Sequence, residues 1–351
     1  MTDESESCPL NQTAGDLIML GHGSGGRLMQ DLLTRLVLPI FSNPHLESRH
    51  DSAVLDLPLS RQAFTTDSYV INPLFFPGGN IGSLAVCGTL NDLSMSGALP
   101  LYLSVGLIIE EGLPLSTLET ILTSMANVAA QAGVKIVTGD TKVVEKGRCD
   151  GIYINTSGIG VIRERASIAP SFMQPGDLLI LSGDIGRHGV SVLAKRESLA
   201  IESDIESDCA DLSGLVQQLL DVDAGGIHCL RDLTRGGLAT ALIELSDTSG
   251  LSIRIEEEQV LVTEEVGSFC ELLGLDPFFV ANEGRFVAVV DPKKASAFLE
   301  RLHAHPLGRD ARVIGEVSSA STSRARATMR TLYGTERWLF HASGELLPRI
   351  C

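Results

Sequence analysis

Residues 63–97, AFTTDSYVINPLFFPGGNIGSLAVCGTLNDLSMSG, form the stretch that decides the fold. Its first part, AFTTDSYVI, has the composition of a strand, and LAVCGTLNDLSMSG predicts a helix that ends at Gly97. Outward from this stretch, short apolar runs continue to alternate with helical patterns on both sides. The alternation predicts a chain of mixed helices and strands, of the α+β class, built around more than one sheet.

The length of 351 residues exceeds the size at which a single core usually stops growing, so we expect two domains. The run SFMQPGDLLILSG is the expected boundary, because PGD is a turn signal before a buried strand. The predicted organisation is a disordered leader at 1–15, an N-terminal domain at 16–168, a C-terminal domain at 169–330 and a mobile tail at 331–351.

Two local predictions go with this division. AVLDLPL at 53–59 is expected to be a strand. In DPKKASAFLERLHAH, Asp291 is expected to be the N-cap of a helix, with Pro292 in its first turn.

The composition excludes several classes of function. A formal net charge of −17 with no basic stripe disfavours nucleic-acid binding, and a phosphorylated substrate would need a divalent cation to bridge it to carboxylates. Seven scattered cysteines without a C-x-x-C spacing suit a reducing compartment. Because the sequence has neither a signal-peptide pattern nor an apolar run of about 20 residues, we expect a cytoplasmic protein that does not enter a membrane.

Four aspartates stand beside small residues at the predicted ends of strands and helices. They are Asp51, Asp67, Asp92 and Asp140, and Lys142 follows the last of them by two positions. As single residues they fit helix caps and turns. As a converging group they fit Mg²⁺, which joins carboxylates to substrate phosphates.

Three further motifs are candidate nucleotide contacts, each with an ordinary structural alternative. GHGSGG, which contains Gly23, Gly25 and Gly26, opens a helix whose amides suit a phosphate, and a hinge is the alternative. DLTRGG provides Asp232 and Arg235 at a second glycine-rich helix start, where a plain capped helix is the alternative. ANEG places Asn282 and Glu283 before a buried strand, as a candidate base with its neighbour or as a simple turn. The histidines at 22, 188, 228 and 341 have no metal-ligand spacing and are interpreted as ordinary loop or core residues.

Cys351 is the last residue of the sequence and follows Pro348, Arg349 and Ile350. A thiol on a proline-stiffened apolar tail is able to visit more than one site. An incidental free cysteine is the alternative.

Together these motifs resemble the carbamoyl dehydratases of hydrogenase maturation, a family in the PurM-like ATP-binding superfamily. The resemblance runs from about residue 20 to 351 and rests on pieces shared with the superfamily and on the terminal PRIC, which singles out this family. The pieces are GHGSGG, TTDSYV, INPLFFPGGNIG, NDLSMSGA, EEGLP, VTGDTKVV, RDLTRGG, ELLGLDP, ANEG and HPLG. HDSAVL departs from the superfamily, which often has a second acidic residue where His50 stands.

The resemblance implies a two-domain PurM-like architecture whose N-terminal domain forms a homodimer, with ATP and Mg²⁺ as cofactors. It implies that Cys351 receives a carbamoyl group from the carbamoyltransferase HypF. ATP-dependent dehydration then gives a thiocyanate, which passes through the HypC–HypD scaffold as the cyanide ligand of [NiFe]-hydrogenase iron. In that chemistry Glu283 is the candidate base, and Lys142 helps to hold the carboxamide or a transferring phosphate. The nucleotide contacts are Gly23, Gly25, Gly26, Asp67, Asp92, Asp140, Asp232, Arg235 and Asn282, and the metal ligands are Asp51, Asp67, Asp92 and Asp140.

Two competing hypotheses remain at this stage. One is another ATP-dependent enzyme of the superfamily, such as a selenophosphate-synthetase-like protein or a small-molecule kinase, which has no use for a terminal thiol. The other is a non-catalytic docking protein of the maturation complex.

Overall fold

The computed structural model describes residues 17–24, 26–47, 52–196, 205–320, 325–341 and 350–351. Asp51, Gly25 and Pro348 therefore lie outside the described residues, as does the predicted leader at 1–15. Two large sheets and a small hairpin organise the described chain, which is α+β as the sequence predicts.

The described residues form thirteen strands and ten α-helices. The strands are β1 (Gln62–Tyr69), β2 (Phe75–Phe76), β3 (Gly79–Asn80), β4 (Ala98–Glu110), β5 (Lys135–Val144), β6 (Ile152–Ile162), β7 (Leu178–Leu181), β8 (Ile227–Asp232), β9 (Ser252–Glu256), β10 (Phe286–Val290), β11 (Arg312–Ser318), β12 (Ala327–Arg330) and β13 (Glu336–Trp338). The helices are α1 (Arg27–Leu32), α2 (Leu38–Ile40), α3 (Pro44–Glu47), α4 (Ile81–Met95), α5 (Leu115–Gln131), α6 (Arg187–Arg196), α7 (Ser213–Asp223), α8 (Gly237–Ser249), α9 (Glu264–Leu273) and α10 (Ala295–His303). A π-helical turn, Leu33–Val37, joins α1 to α2.

The first sheet has four strands in the order β1-β6-β4-β5, antiparallel except for the parallel pair β4 and β5. Helices α4 and α5 pack on one face, and α4 is buried along nearly its whole length. The other face carries apolar side chains that remain exposed, Phe64 by 72%, Leu99 by 44% and Ile108 by 44%. Among the residues that the structure describes, α4 and α5 therefore cover one side of this sheet and leave these apolar side chains exposed on the other.

The second sheet has seven strands in the order β13-β12-β9-β11-β7-β10-β8. Alternate residues of β7 and β10 enter two different core clusters. One cluster includes α8 and the other includes α7 and α10, so both faces of the sheet are covered. That double cover explains why every residue of β10 is buried.

The two halves of the chain share part of one core. Leu107 and Ile109 of β4 belong to the same buried cluster as Val190 of α6 and Val266 of α9. Ile350 belongs to that cluster too. The C-terminal end of the chain thus packs where the two halves meet.

The prediction for AVLDLPL is wrong. Residues 53–59 form no strand, although their side chains alternate in exposure, and Val54 and Leu59 are 81% and 107% exposed. The free edge of β1 lies beside them in sequence, but no ladder forms there among the described residues. Alternation alone therefore does not make a strand where no backbone partner is offered.

The helix at the DPKK segment begins later than predicted. Asp291 accepts a hydrogen bond from the Lys293 amide at 2.9 Å and so caps a turn, while α10 starts at Ala295 with Lys294 as its N-cap. The structure also places a strand, β13, inside the predicted tail. β13 pairs with β12, and the Arg326 guanidinium stacks over the Trp338 ring at 3.7 Å, which secures that edge.

No helix in the described parts of the chain is long and apolar enough to cross a bilayer.

Candidate active site

A cavity of about 900 Å³ lies between the two halves of the chain. The end of β1, one turn of α4 and the start of α8 contribute most of its wall, and the last two residues of the chain close one side. The predicted site residues that line it are Asp67, Asp92, Asp232, Arg235, Glu283 and Cys351. Six of the predicted site residues, which lie far apart along the chain, therefore line one cavity.

Three carboxylates in this cavity lie close enough to affect one another. Burial raises the pKa of Asp232 to about 6, and the charge of Asp92 adds to this rise. The pKa of Asp92 is also raised, first by burial and then by Asp67, although the Thr65 hydroxyl donates a hydrogen bond to Asp92 Oδ2 at 3.0 Å. Buried carboxylates that repel one another gain stability when a cation joins them.

Arg235 and the start of α8 face the same cavity. The turn before α8 contains two consecutive glycines with positive φ, +70° at Gly236 and +63° at Gly237. A Cβ on Gly237 would lie 2.5 Å from the Val280 carbonyl oxygen, so only glycine allows this close approach. The glycine pair thus holds Arg235 and the helix N-terminus toward the acidic wall, where a phosphate has favourable contacts.

Glu283 is the most perturbed acid of the cavity. It is 3% exposed, and its Oε1 atom has no hydrogen-bond partner in the described part of the chain. Burial raises its pKa well above the ordinary value, and the charges of Asp232 and Asp208 raise it further. A carboxylate in such surroundings is a strong proton acceptor once it is ionised.

The loop that carries Glu283 is fixed by its neighbours. Asp208 Oδ2 accepts hydrogen bonds from the amides of Glu283 at 3.2 Å and Gly284 at 3.0 Å. Asn282 is fully buried, accepts from the Gly186 amide at 2.7 Å and donates to two backbone carbonyls. Asn282 does not line the cavity, and its placement as a loop-holding residue argues against the predicted ATP contact.

The last two residues occupy an inward position. Ile350 is 3% exposed within the shared core, and the Val70 amide donates to the Cys351 carbonyl at 3.4 Å. The Cys351 side chain lines the cavity together with Glu283. Burial raises the pKa of its thiol to about 12, and the charges of Glu283 and Asp67 contribute to the rise. In this position the raised pKa favours the protonated thiol.

Two of the four histidines that the sequence indicates as ordinary loop or core residues lie next to this region. His341 lines the cavity rim. His188 is buried as a core residue, as expected, but its Nε2 atom also lies 2.9 Å from the carbonyl oxygen of Ile350. The sequence carries no spacing signal for this contact, because the tail and α6 are far apart along the chain.

The remaining predicted residues form a second group on β5. Lys142 Nζ lies 2.8 Å from Asp140 Oδ1, and this bond lowers the pKa of Asp140. Strand pairing places Asp140 in one row with Gly106, Asn155 and Ser68, three strand spacings from β1, or about 14 Å. Because Asp67 points to the opposite face, one chain does not bring Asp140 to Asp67.

The glycine-rich loop belongs to this second group. A Cβ on Gly23 would lie 2.6 Å from the Val143 amide nitrogen, so the loop packs directly on β5. Gly26 precedes α1 as its N-cap. A separate cavity of about 430 Å³ lies between α1, α3 and β5, and Asp140 is among its lining residues.

No three His, Cys, Asp or Glu side chains within the described ranges are arranged as a protein-only metal site. Asp67 and Asp92 nevertheless fit a hard cation, since oxygen donors share one cavity and the pKa of Asp92 is raised partly by Asp67. Mg²⁺ usually takes only one or two carboxylates and completes its shell with phosphates and water. The residues present therefore fit a cation that arrives with a nucleotide.

Comparison with known proteins identifies the family. The AIR synthase related protein models match this chain with their N-terminal domain at residues 49–162 and their C-terminal domain at residues 174–327. The carbamoyl dehydratase HypE of Cupriavidus necator is 49% identical over 344 residues, covering 98% of this chain and 97% of that protein. The chain belongs to the HypE family.

Solved HypE structures have the same fold. A crystal structure of the hydrogenase maturation protein HypE in complex with ATP superposes with a TM-score of 0.91 at 46% identity, covering 95% of this chain and 99% of that one. A HypE chain from a HypE–HypF complex gives a TM-score of 0.77 at 46% identity, covering 90% and 99%. The resemblance inferred from the motifs, the α+β fold and the membership of an enzyme family are thereby confirmed.

Proposed function

We propose that this chain uses ATP to dehydrate a carbamoyl group carried on the Cys351 thiol. The product is a thiocyanate that supplies the cyanide ligand for the iron of [NiFe]-hydrogenase. The observation that carries the proposal is the inward position of Cys351, whose thiol shares a cavity with Glu283 and four further carboxylates. The carbamoyl dehydratase relatives and the ATP complex of HypE support it.

The chemistry is a dehydration without oxidation or reduction. The carbamoyl oxygen bonds to the γ-phosphorus of ATP while the bond from that phosphorus to ADP breaks. The carbon–oxygen bond then breaks and the oxygen leaves in phosphate, while the nitrogen loses two protons and forms the triple bond to carbon. Phosphorylation thus turns a poor leaving group into a good one, and a base must accept the protons.

Glu283 is the proposed base. Its buried position keeps bulk water away from the reacting group, and its unpartnered Oε1 leaves one acceptor atom available. Its raised pKa makes the ionised carboxylate a stronger proton acceptor than an exposed glutamate. Cations bound at the neighbouring aspartates would favour that ionised form.

ATP and Mg²⁺ are the proposed cofactors. Asp67 and Asp92 are the residues that would hold Mg²⁺, with Asp232 beside them, and the cation would neutralise the phosphate charge. Arg235 at the start of α8 would contact the transferred phosphoryl group. These assignments are supported by the shared cavity and by the raised pKa values of two of the three carboxylates.

A homodimer is the proposed active assembly. The exposed apolar face of the first sheet, with Phe64 and Ile108, is the surface that a second copy would cover. Asp140 and Lys142 lie on that same face, so a second copy is what would bring them to a cavity that they do not reach within one chain. Lys142 would then hold the carboxamide or the transferred phosphoryl group.

The proposed partners follow from the same reaction. HypF is the proposed carbamoyl donor, supported by the HypE–HypF complex of a relative. The HypC–HypD scaffold is the proposed acceptor of the cyanide, and the cytoplasm the proposed location. Asp51 and Gly25, predicted as metal and nucleotide contacts, lie outside the described residues and stay predictions.

The acceptor role of Cys351 is tested by replacing the thiol. Cys351→Ala is expected to gain no carbamoyl mass after incubation with HypF, carbamoyl phosphate and ATP, while Cys149→Ala gains it as the wild type does. Cys149 is the matched control because it is a half-buried free thiol outside the cavity. Equal carbamoylation of Cys351→Ala would remove the basis of the proposal.

A further inference from the structure

His188 stands between the C-terminal residues and the segment 205–212. The ring is fully buried at the start of α6, and its edge meets the ring of Phe76 at a centroid distance of 5.4 Å and an angle of 88°. It is not among the residues that line the carboxylate cavity. A polar ring this deeply buried is expected to form a hydrogen bond at each of its two nitrogens.

The hydrogen bonds fix where the proton sits. The carbonyl oxygen of Ile350 accepts only, so His188 Nε2, at 2.9 Å, must carry the proton. Burial lowers the pKa of His188, which keeps the ring neutral with a single N–H. His188 Nδ1 therefore accepts from the Ser207 hydroxyl at 2.8 Å, and Ser207 Oγ in turn accepts from the Cys209 amide at 3.0 Å.

We propose that His188 is the positioning residue that holds the tail in its inward register during dehydration. This inference rests on the proposed function. Burial of the Ile350 side chain favours an inward tail but does not fix its rotation, because apolar burial is non-directional. The bond from His188 to the Ile350 carbonyl holds the peptide group between Ile350 and Cys351, and the bond from the Val70 amide holds the backbone oxygen of Cys351. That orientation directs the modified thiol toward Glu283.

The same segment positions the base. The Ser207 hydroxyl donates to His188 Nδ1, and the next residue, Asp208, holds the amides of Glu283 and Gly284. The segment that contains Ser207 and Asp208 therefore contacts both the residue that holds the tail, His188, and the loop that carries the proposed base, Glu283. The charge of Asp208 also acts on the His188 ring, where it opposes the effect of burial.

The bond must also be reversible, since carbamoylation by another protein needs the thiol outside. A neutral hydrogen bond meets that requirement, because water replaces it when the tail leaves. We therefore expect His188 to affect dehydration and not carbamoylation.

The test compares two amides of different length. In His188→Gln the side-chain amide nitrogen reaches about the place of Nε2 and donates to the Ile350 carbonyl. In His188→Asn the amide reaches only the place of Nδ1. We expect His188→Asn to be carbamoylated at the wild-type rate and to form thiocyanate about tenfold more slowly, and His188→Gln to stay within about threefold of wild type.

A second readout follows the tail itself. Alkylation of Cys351 by iodoacetamide, measured on the C-terminal peptide by mass spectrometry, is expected to be faster in His188→Asn than in wild type or His188→Gln. A purely structural role for His188 would not separate the two amides. If His188→Asn does not fold, Ser207→Ala keeps the ring but removes the hydrogen bond that holds its Nδ1 side, and slower dehydration with unchanged carbamoylation is expected.

The outcomes are distinguishable. Failure of the wild-type chain to form thiocyanate would overturn the proposed function itself. With an active wild type, normal dehydration and alkylation in His188→Asn would overturn the inference about His188 alone. Equal loss in both amides would also overturn it, because the ring packing and not the hydrogen bond would then matter. Where Ser207→Ala is the variant tested, unchanged dehydration would be the contradicting result.

Discussion

Glu283, the proposed base, carries a cost to the stability of the folded chain. The folded chain surrounds it with low-polarity contacts and with the charges of Asp232 and Asp208, which raises its pKa. At neutral pH the folded state therefore either retains a proton that the unfolded state has released or holds a charge in an unfavourable place. A buried acid with a raised pKa is typical of functional sites, where activity is gained at the expense of folding stability.

Glu283→Gln is expected to bind ATP and to accept a carbamoyl group, but to form thiocyanate at least about a hundredfold more slowly, because glutamine cannot take a proton. Mass spectrometry of Cys351 measures this directly. Glu244→Gln is the matched control, since Glu244 lines the same cavity but is exposed and paired with Arg231. Normal thiocyanate formation in Glu283→Gln would place the base elsewhere, with Lys142 the next residue to test.

The same variant has a stability signature with a definite sign. The pKa of Glu283 is raised in the folded state, so the wild-type chain loses stability as pH rises from the ordinary glutamate pKa through the folded one. Glutamine does not titrate. Without nucleotide, Glu283→Gln is expected to melt a few degrees above wild type at pH 8 and to lose that advantage toward pH 4. A melting-temperature difference independent of pH would contradict the raised pKa.

At the scale of single residues, the sequence indicates a candidate site residue when the side chain and its sequence neighbours alone point to a chemical role. Asp67, Asp92, Asp232 and Glu283 are predicted as site residues because each is an acid near small residues, and all four line the cavity. Asn282 carries the same kind of signal and was predicted as a contact, but its amide is used entirely by backbone groups. His188 was interpreted as ordinary because its partner is a backbone carbonyl, which no residue pattern encodes.

At the scale of elements, the four-stranded sheet separates the predicted residues into two groups. Asp67 points toward α4, whereas Asp140 and Lys142 point to the opposite face, away from α4. The sequence located both strands but gave no information about which face each residue occupies across the pairing. That depends on register, and a shift by one residue would exchange the faces.

Mixing two variants tests whether the groups meet between copies. Asp67→Asn and Asp140→Asn are each expected to be slow in ATP turnover as homodimers. A mixed dimer would contain one site with both aspartates and one with neither, so unfolding and refolding them together should restore about a quarter of the wild-type rate. If both aspartates act within one chain, no mixed dimer has an intact site and no activity returns.

A substitution in the exposed sheet face provides the control for that experiment. Ile108→Asp places a charge in the apolar surface and is expected to yield a monomer in sedimentation analysis. Leu332→Asp, an exposed apolar residue in the β12–β13 turn, is expected to remain a dimer. Full activity of monomeric Ile108→Asp would argue against a shared site.

At the scale of the whole molecule, the two halves of the chain and its last two residues share one core and one cavity. Ile350 belongs to the core that joins the halves, so the thiol at the end of the chain reaches a cavity formed between them. The sequence predicted the two-sheet architecture and a mobile terminal thiol. It did not predict where the thiol rests, because that position depends on tertiary contacts with His188 and Val70 and not on local pattern.

The intact mass of the carbamoylated chain, followed over time with and without ATP, tests the central claim most directly. With ATP and Mg²⁺ we expect the carbamoyl adduct on Cys351 to lose the mass of one water, with one ATP converted to ADP and phosphate for each thiocyanate formed. Without ATP we expect the adduct to persist. An adduct that keeps its mass in the presence of ATP, or that loses water equally without it, would contradict the account.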